Sequence, residues 1–309
     1  MKIGVVGTGR MGTAIVRRLL ERGHELHVWN RTAANAHGAR EAGARWSPTL
    51  ADLVNDVEVV ISFLIDNAAV EHVYLDADGV LTGRVEGRLF IDMSTVSPDV
   101  HRRIAPALAS RDAVIIECPV SGSIAAATSG ALVGFAGGEA SAFARAKPLL
   151  EQLCRRVEHI GPLGTGARLK LAANLLLVVF WQALGESLSL VDVPSTDVER
   201  TLDLLADSNI GAAILRTRGP EIVAAVKRGA SGKAAFDVDT MRKDLRYMAQ
   251  EAQERGGSLP LVDRTLECFD RAALDGNGGL DGVNYPAYWI ERQRAAETGR
   301  STNGMSPTS

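Results

Sequence analysis

The chain has 309 residues, 46% of them hydrophobic, with a formal net charge of −3 and a pI near 6.1. That is enough apolar material for two domains, each with a core of its own. There is no basic stripe and no interleaving of basic with aromatic residues, which excludes nucleic acid as an expected partner. The three cysteines, Cys118, Cys154 and Cys268, are odd in number and widely spaced. They form neither a disulfide framework nor a metal-ligand motif, and they fit a reducing cytoplasm.

The opening residues already read as a strand, so no leader peptide is expected before the fold. Ile3, Val5 and Val6 make a short apolar run. Gly7-Thr8-Gly9-Arg10-Met11-Gly12 follows as a glycine-rich turn, and Ile15, Val16, Leu19 and Leu20 then recur at helical spacing. A second strand, Leu26 to Trp29, ends at Asn30-Arg31-Thr32. A Gly-x-Gly-x-x-Gly turn in this βαβ frame is the fingerprint of a dinucleotide site. Gly7 permits the tight turn, Gly9 lets a pyrophosphate approach the backbone, and Gly12 lets the helix pack close to the sheet. Thr8, Arg10 and Met11 complete the cradle, at the positive end of the helix. The alternative is a glycine-rich βα turn that holds no ligand.

The end of the second strand bears on the cofactor. NAD sites place Asp or Glu there, on the ribose 2′-OH. Here Asn30 has no charge to repel a 2′-phosphate, Arg31 offers a planar bidentate cation, and Thr32 adds a hydroxyl. The expectation is NADP(H) rather than NAD. The alternative is that Arg31 is an ordinary surface arginine.

Further β-rich runs lie at Val57–Phe63, Arg88–Asp92, Ala113–Glu117, Leu132–Ala136 and Val157–Ile160, with helical stretches between them, including Pro98–Ala109 and Glu139–Leu153. Such alternation predicts an α/β fold: an N-terminal Rossmann domain with a mostly parallel, doubly wound sheet. After Gly166 the pattern becomes helical, at about 166–192, 196–207, 210–228, 238–255 and 258–274, which predicts an all-α C-terminal domain. The expected organisation is a cofactor domain over 1–162, a helical substrate and dimerisation domain over 163–296, and a disordered polar tail over 297–309. Leu171–Leu184 is too short an apolar run for a membrane span and reads as a buried helix.

Three runs carry chemistry. Asp92-Met93-Ser94-Thr95 and Cys118-Pro119-Val120-Ser121-Gly122-Ser123 each follow a strand, at the carboxyl end where ligands bind in open α/β sheets. The second would aim hydroxyls and N–H groups at an anion. In Gly164-x-Gly166-x-x-x-Lys170-x-x-x-Asn174, glycines open a helix that carries Lys170 and Asn174 four residues apart, on one face, among apolar neighbours. Each run has a bland alternative: a routine βα loop, or a solvated lysine at a helix start.

These motifs, in this order and joined by Gly130-Ala131-Leu132, Gly137-Gly138 and Lys243-Asp244-Leu245, resemble those of the β-hydroxyacid dehydrogenases. That group contains 3-hydroxyisobutyrate dehydrogenase and the glyoxylate/succinic semialdehyde reductases. The likeness runs to about residue 285. It implies hydride transfer between NADP(H) and a small β-hydroxyacid or semialdehyde, with Lys170 as general acid/base. Asn174 would help hold Lys170 and the substrate. Ser121, Gly122 and Ser123 would meet a substrate carboxylate, and Thr95 the nicotinamide ribose and the substrate. Leu64 and Ile65 would line the cofactor cleft, Lys243 would close over the cofactor, and Asp244 would support the site. A homodimer or tetramer is expected by the same resemblance.

The chain departs from the family's usual Ser-Gly-Gly loop, since Ser123 and Ala126 stand where glycines are common. Either would disfavour a positive φ and narrow the carboxylate site. Tyr285-Pro286-Ala287-Tyr288-Trp289 is also unusual, and fits either a pocket cap or packing against a partner subunit. The rival enzyme reading is an imine reductase of the same superfamily, whose members generally replace the lysine. The rival from another class is a non-catalytic NADP-binding interaction protein.

Overall fold

The computed structural model describes residues 1–191, 197–208, 213–229, 234 and 236–303, with side chains described as far as Ala295. The chain divides into two compact units, Met1–Ala173 and Asn174–Ser309. The division falls inside a helix, Thr165–Leu190.

Unit 1 begins with β1 (Lys2–Val6), α1 (Arg10–Glu21), β2 (Glu25–Trp29), α2 (His37–Glu41), β3 (Arg45–Trp46) and α3 (Leu50–Asp56). It continues with β4 (Val59–Ser62), α4 (Asn67–Leu75), β5 (Leu89–Asp92), α5 (Pro98–Ala109) and β6 (Val114–Glu117). Then come β7 (Val120–Ser121), α6 (Ile124–Ser129), β8 (Leu132–Gly137), α7 (Ala140–Leu153), β9 (Cys154–Gly161) and the first turns of α8 (Thr165–Leu190). The strands form one sheet in the order β3-β2-β1-β4-β5-β6-β8-β7, with β9 beside β8. Every pair from β3 through to β6 is parallel, β8 runs antiparallel to β6 and β7, and β9 pairs parallel with β8. The mostly parallel, doubly wound sheet agrees with the sequence reading. The two-residue strands β3 and β7 were too short to carry a periodic signal.

The central strands are apolar on both sides because helices cover both faces. Val59, Ile61, Leu89, Ile91 and Ile116 join one core cluster, while their neighbours Val60, Phe90 and Ile115 join the other. Each of these runs ends in a polar residue. Ser62 pairs in register with Asp92, and Asp92 with Glu117, so a polar row crosses the carboxyl edge of the sheet.

Unit 2 holds the remainder of α8, then α9 (Val198–Asp207), α10 (Ala213–Arg228), α11 (Val238–Glu254), α12 (Pro260–Ala272) and α13 (Tyr285–Asn303). Among its described residues the one β feature is an isolated bridge between Asp237 and Asp281. The sequence reading missed α13, whose backbone runs into the segment expected to be disordered; residues 304–309 lie outside the described residues. α13 begins with Tyr285, which is fully buried, stacks on Phe269 at 4.1 Å between ring centroids and donates to Gln182 Oε1 at 2.7 Å. Trp289 sits against Gly185 of α8. These aromatics therefore pack inside unit 2, which neither sequence alternative had placed them to do.

α8 is longer than the apolar run read from the sequence. It has 26 residues, because Thr165–Lys170 and Gly185–Leu190 extend the apolar run at both ends. By length and composition it is sufficient to cross a membrane, and 44% of its most apolar window is buried within the protein.

Gly7 and Gly12 fix the first βα turn. Gly7 has φ +94, and a Cβ on Gly12 would strike the Gly7 carbonyl oxygen. Gly12→Ala should therefore lower the urea-unfolding free energy by about 1–3 kcal/mol, the usual range for an overpacked site. An unchanged midpoint would show that the turn can give.

Candidate active site

The glycine-rich turn is built to leave room. A Cβ added to Gly9 meets nothing within 4 Å, so no protein atom demands a glycine there. Gly9 is the N-cap of α1 and provides no side-chain hydrogen bond to the first turn. Open space above uncapped N–H groups fits a pyrophosphate. Asn30 holds the turn in place: its Oδ1 accepts from Thr8 N at 3.1 Å and its Nδ2 donates to Thr32 O at 2.9 Å. Thr8 Oγ1 donates to Asn35 O at 3.1 Å. Arg31 and Arg10 are exposed, and neither makes a hydrogen bond or ion pair with the described residues. Met11 is half-buried against the core.

At the ends of β4, β5 and β6 lies a buried polar network. Ser62, Tyr74, Asp92, Ser94, His101 and Glu117 are each 0% exposed. Ser62 Oγ donates to Asp92 Oδ1 at 2.6 Å, which uses its single proton, so the Tyr74 hydroxyl 2.8 Å away donates to Ser62. Ser94 Oγ also donates to Asp92 Oδ1, at 2.7 Å, and accepts from Leu64 N at 2.8 Å. The imidazole of His101, in the first turn of α5, lies between two carboxylates. Its Nε2 is 2.7 Å from Asp92 Oδ2, and its Nδ1 is 2.8 Å from Glu117 Oε2 in an ion-pair contact off the hydrogen-bond axis. The other oxygen, Glu117 Oε1, accepts from the N–H groups of Gly164 and Gly166 at 2.8 Å and of Ala167 at 3.3 Å. Thus a carboxylate from the sheet caps α8.

Burial opposes the charged form of His101, but hydrogen bonding to Asp92, pairing with Glu117 and their negative charges more than offset it, raising its pKa from 6.5 to about 9. The groups facing the ring are Asp92 from β5, Glu117 from β6 and, through Ser62, Tyr74 from α4. Sequence reading missed His101 and Glu117. A signal was there: Val-Ile-Ile-Glu and Leu-Phe-Ile-Asp are core strands that end in carboxylates, and buried carboxylates need partners.

The remaining predicted residues of unit 1 stand near these elements. Thr95 is half-buried one residue beyond Ser94, while Ile65 is 61% exposed. Ser121 ends β7 and pairs with Val133, and Gly122 has φ +143. Ser123 does not strain the loop as feared. It is extended, at φ −84, and its hydroxyl caps α6 by accepting from Ala126 N at 3.3 Å. Lys170 is half-buried on α8, one turn beyond Ala167. Cys118 is a fully buried thiol whose pKa burial pushes far up, and so a core residue.

In unit 2, Asn174 Nδ2 donates to Asp244 Oδ2 at 2.7 Å. Lys243 Nζ lies 3.0 Å from Asp244 Oδ1 and 5.3 Å from the centre of the Tyr247 ring. Asp244 is 0% exposed, and its two oxygens are divided between these partners. A pocket of about 590 Å³ in unit 2, lined by Arg200, Leu202, Arg216 and Val223 among others, includes none of the motif residues.

The raised pKa of His101 has a sign. Its imidazolium stabilises the fold fully below about pH 6.5, and this contribution is lost as pH climbs through 9. Urea unfolding of wild type should lose on the order of 3 kcal/mol between these limits, and His101→Gln should lack that slope. Parallel curves would mean that the ring is neutral throughout.

Residues 2–161 match the family model for the NAD binding domain of 6-phosphogluconate dehydrogenase. Residues 164–286 match that for the NAD-binding region of NADP-dependent 3-hydroxyisobutyrate dehydrogenase. Glyoxylate/succinic semialdehyde reductase 1 of Arabidopsis thaliana is 31% identical over 91% of this chain and 96% of its own. The 3-hydroxyisobutyrate dehydrogenase of Pseudomonas aeruginosa is 33% identical over 90% and 95%. The solved structure of Psf3 in complex with NADP+ and 2-OPP is similar at a TM-score of 0.82 and 27% identity, covering 93% of this chain and 99% of that one. The matched models span both halves of the polypeptide, and the motifs they cover are the ones assembled above: the chain belongs to the β-hydroxyacid dehydrogenase family of NAD(P)-dependent oxidoreductases.

Proposed function

We propose that this protein reduces a small, carboxylate-bearing semialdehyde to the β-hydroxyacid, or runs the reverse reaction, with NADP(H) and with Lys170 as general acid/base. One observation carries the reading most: Lys170 and Asn174 lie one turn apart on a single helix whose start is held by the sheet. When bound, the nicotinamide would supply or accept the hydride. In reduction, negative charge grows on the carbonyl oxygen, and the Lys170 ammonium stabilises it and gives up a proton from Nζ. An ammonium is the ordinary state of lysine at neutral pH, so reduction uses this residue directly. Asp244 fixes the Asn174 amide, and Lys243 shares that carboxylate.

On this reading residues 1–162 bind the cofactor through Gly7, Thr8, Gly9, Arg10, Met11 and Gly12, with Leu64, Ile65 and Thr95 on the nicotinamide side. Residues 163–296 provide substrate and subunit contacts. Ser121 and Gly122 receive the carboxylate, and Ser123, whose oxygen accepts from Ala126 N, keeps its hydroxyl proton to donate. The preference for NADP rests on the exposed Arg31 and on an amide, rather than a carboxylate, at Asn30. The protein is assigned to the cytoplasm on its reduced cysteines, as a homodimer or tetramer that light scattering would resolve. An imine reductase is the rival, and Lys170 disfavours it.

The test is NADPH oxidation with glyoxylate, succinic semialdehyde, methylmalonate semialdehyde, tartronate semialdehyde and a cyclic imine. Lys170→Ala should lower kcat on the best aldehyde acid by about 10²–10⁴-fold, the range for general acid/base groups. Turnover of the imine alone, or indifference to the substitution, would move the chain to the imine reductases; binding of NADPH with no turnover would make it an interaction protein. Arg31→Ala should weaken NADPH binding by about tenfold or more and leave NADH unchanged, since only the former brings a 2′-phosphate. Equal effects on both cofactors would remove the NADP assignment.

A further inference from the structure

The network around His101 is fully buried, and it joins two elements that the proposed chemistry needs. We infer that Glu117 is a positioning residue: its buried carboxylate, held by His101, fixes the start of α8 and through it the place of Lys170. The inference rests on the reading of Lys170 as acid/base.

Helices are ordinarily capped by their own N-cap side chain. Here a single oxygen from a central strand takes three N–H groups at the start of α8. A negative charge at that end is favoured by the helix dipole as well as by the hydrogen bonds. The approach is close: a Cβ on Gly166 would strike the Phe135 carbonyl oxygen, and Gly164 takes φ +94 to make the turn. Lys170 follows Ala167 by one turn, so a loosened first turn displaces its anchor directly. A misplacement of about 1 Å costs on the order of 10²-fold in rate.

The same imidazolium secures Asp92, which holds Ser94 and through it the N–H of Leu64. One buried cation therefore sets both the loop bearing Thr95 and the helix bearing Lys170. Without it, two carboxylates would face each other across a site with no solvent.

The experiment measures steady-state kinetics with NADPH and the best aldehyde acid of the panel for wild type, Lys170→Ala, Glu117→Ala and Glu117→Gln. Amide hydrogen exchange over residues 162–172 is followed alongside, in protein without substrate. Glu117→Ala should lower kcat by about 30–100-fold, keep the KM for NADPH within about threefold, and speed exchange at Gly164, Gly166 and Ala167 by about tenfold or more. Glu117→Gln retains an oxygen acceptor but not the charge, and should lose about 3–10-fold in kcat. Should the alanine variant not fold, the glutamine variant decides by the same split of kcat from KM. A Glu117→Ala enzyme with kcat within about twofold of wild type overturns the inference; so does a loss shared equally by kcat and NADPH binding, which marks general damage. An inert Lys170→Ala beside a fully active Glu117→Ala removes this inference alone. An unchanged Lys170→Ala removes the acid/base reading beneath it, and the exchange data then report only on the helix.

Discussion

A charged imidazole enclosed between two carboxylates is the constraint around which unit 1 is organised. Asp92 and Glu117 end neighbouring parallel strands, in register, at the edge where the loops of an α/β sheet carry ligands. Two buried anions side by side would repel each other and force one to take a proton. His101 removes the conflict by lying between them, and each carboxylate then has its second oxygen free to organise backbone or hydroxyl groups elsewhere. The arrangement is economical in kind: strand ends give the charges, one helix gives the cation, and the N–H groups of another helix complete the count.

Unit 2 uses a smaller version of the same logic. Asp244 is buried with an amide on one oxygen and an ammonium on the other. Elsewhere in the unit Tyr285 stacks on Phe269 and donates its hydroxyl to Gln182. Gln182 in turn donates to Glu186 at 2.6 Å, so Asn174 and Gln182 on α8 are each answered within the unit. This is why an unusually apolar helix can carry Asn174 and Gln182 without a penalty for unpaired groups.

Much of this was legible in the residues. Apolar runs gave the central strands because they are covered on both faces, and the glycine spacing gave the first turn because each glycine answers a separate steric need. Some boundaries were less legible than others. The helical pattern over 166–192 gave α8 to within two residues at each end, and Gly166 and Gly185 are where Phe135 and Trp289 approach that helix. β3 and β7, each two residues long, leave no period to detect. His101 was passed over because a lone histidine in an amphipathic helix carries no pattern; its meaning lies in partners 9 and 16 residues away along the chain, which pairing in the sheet brings together. Ser123 was weighed as a lost glycine, when its hydroxyl had a use as a helix cap.

Asn30 has a consequence for how such an enzyme can change over evolutionary time. Both ends of its amide are engaged, one by the turn and one by the strand end that follows. A carboxylate at this position would keep an acceptor for Thr8 but lose the donor to Thr32, and would set a negative charge against a carbonyl oxygen. The position where dinucleotide enzymes commonly write their choice of ribose is thus tied into the scaffold here. Arg31, exposed and holding nothing among the described residues, is the position at which that choice can drift without disturbing the turn.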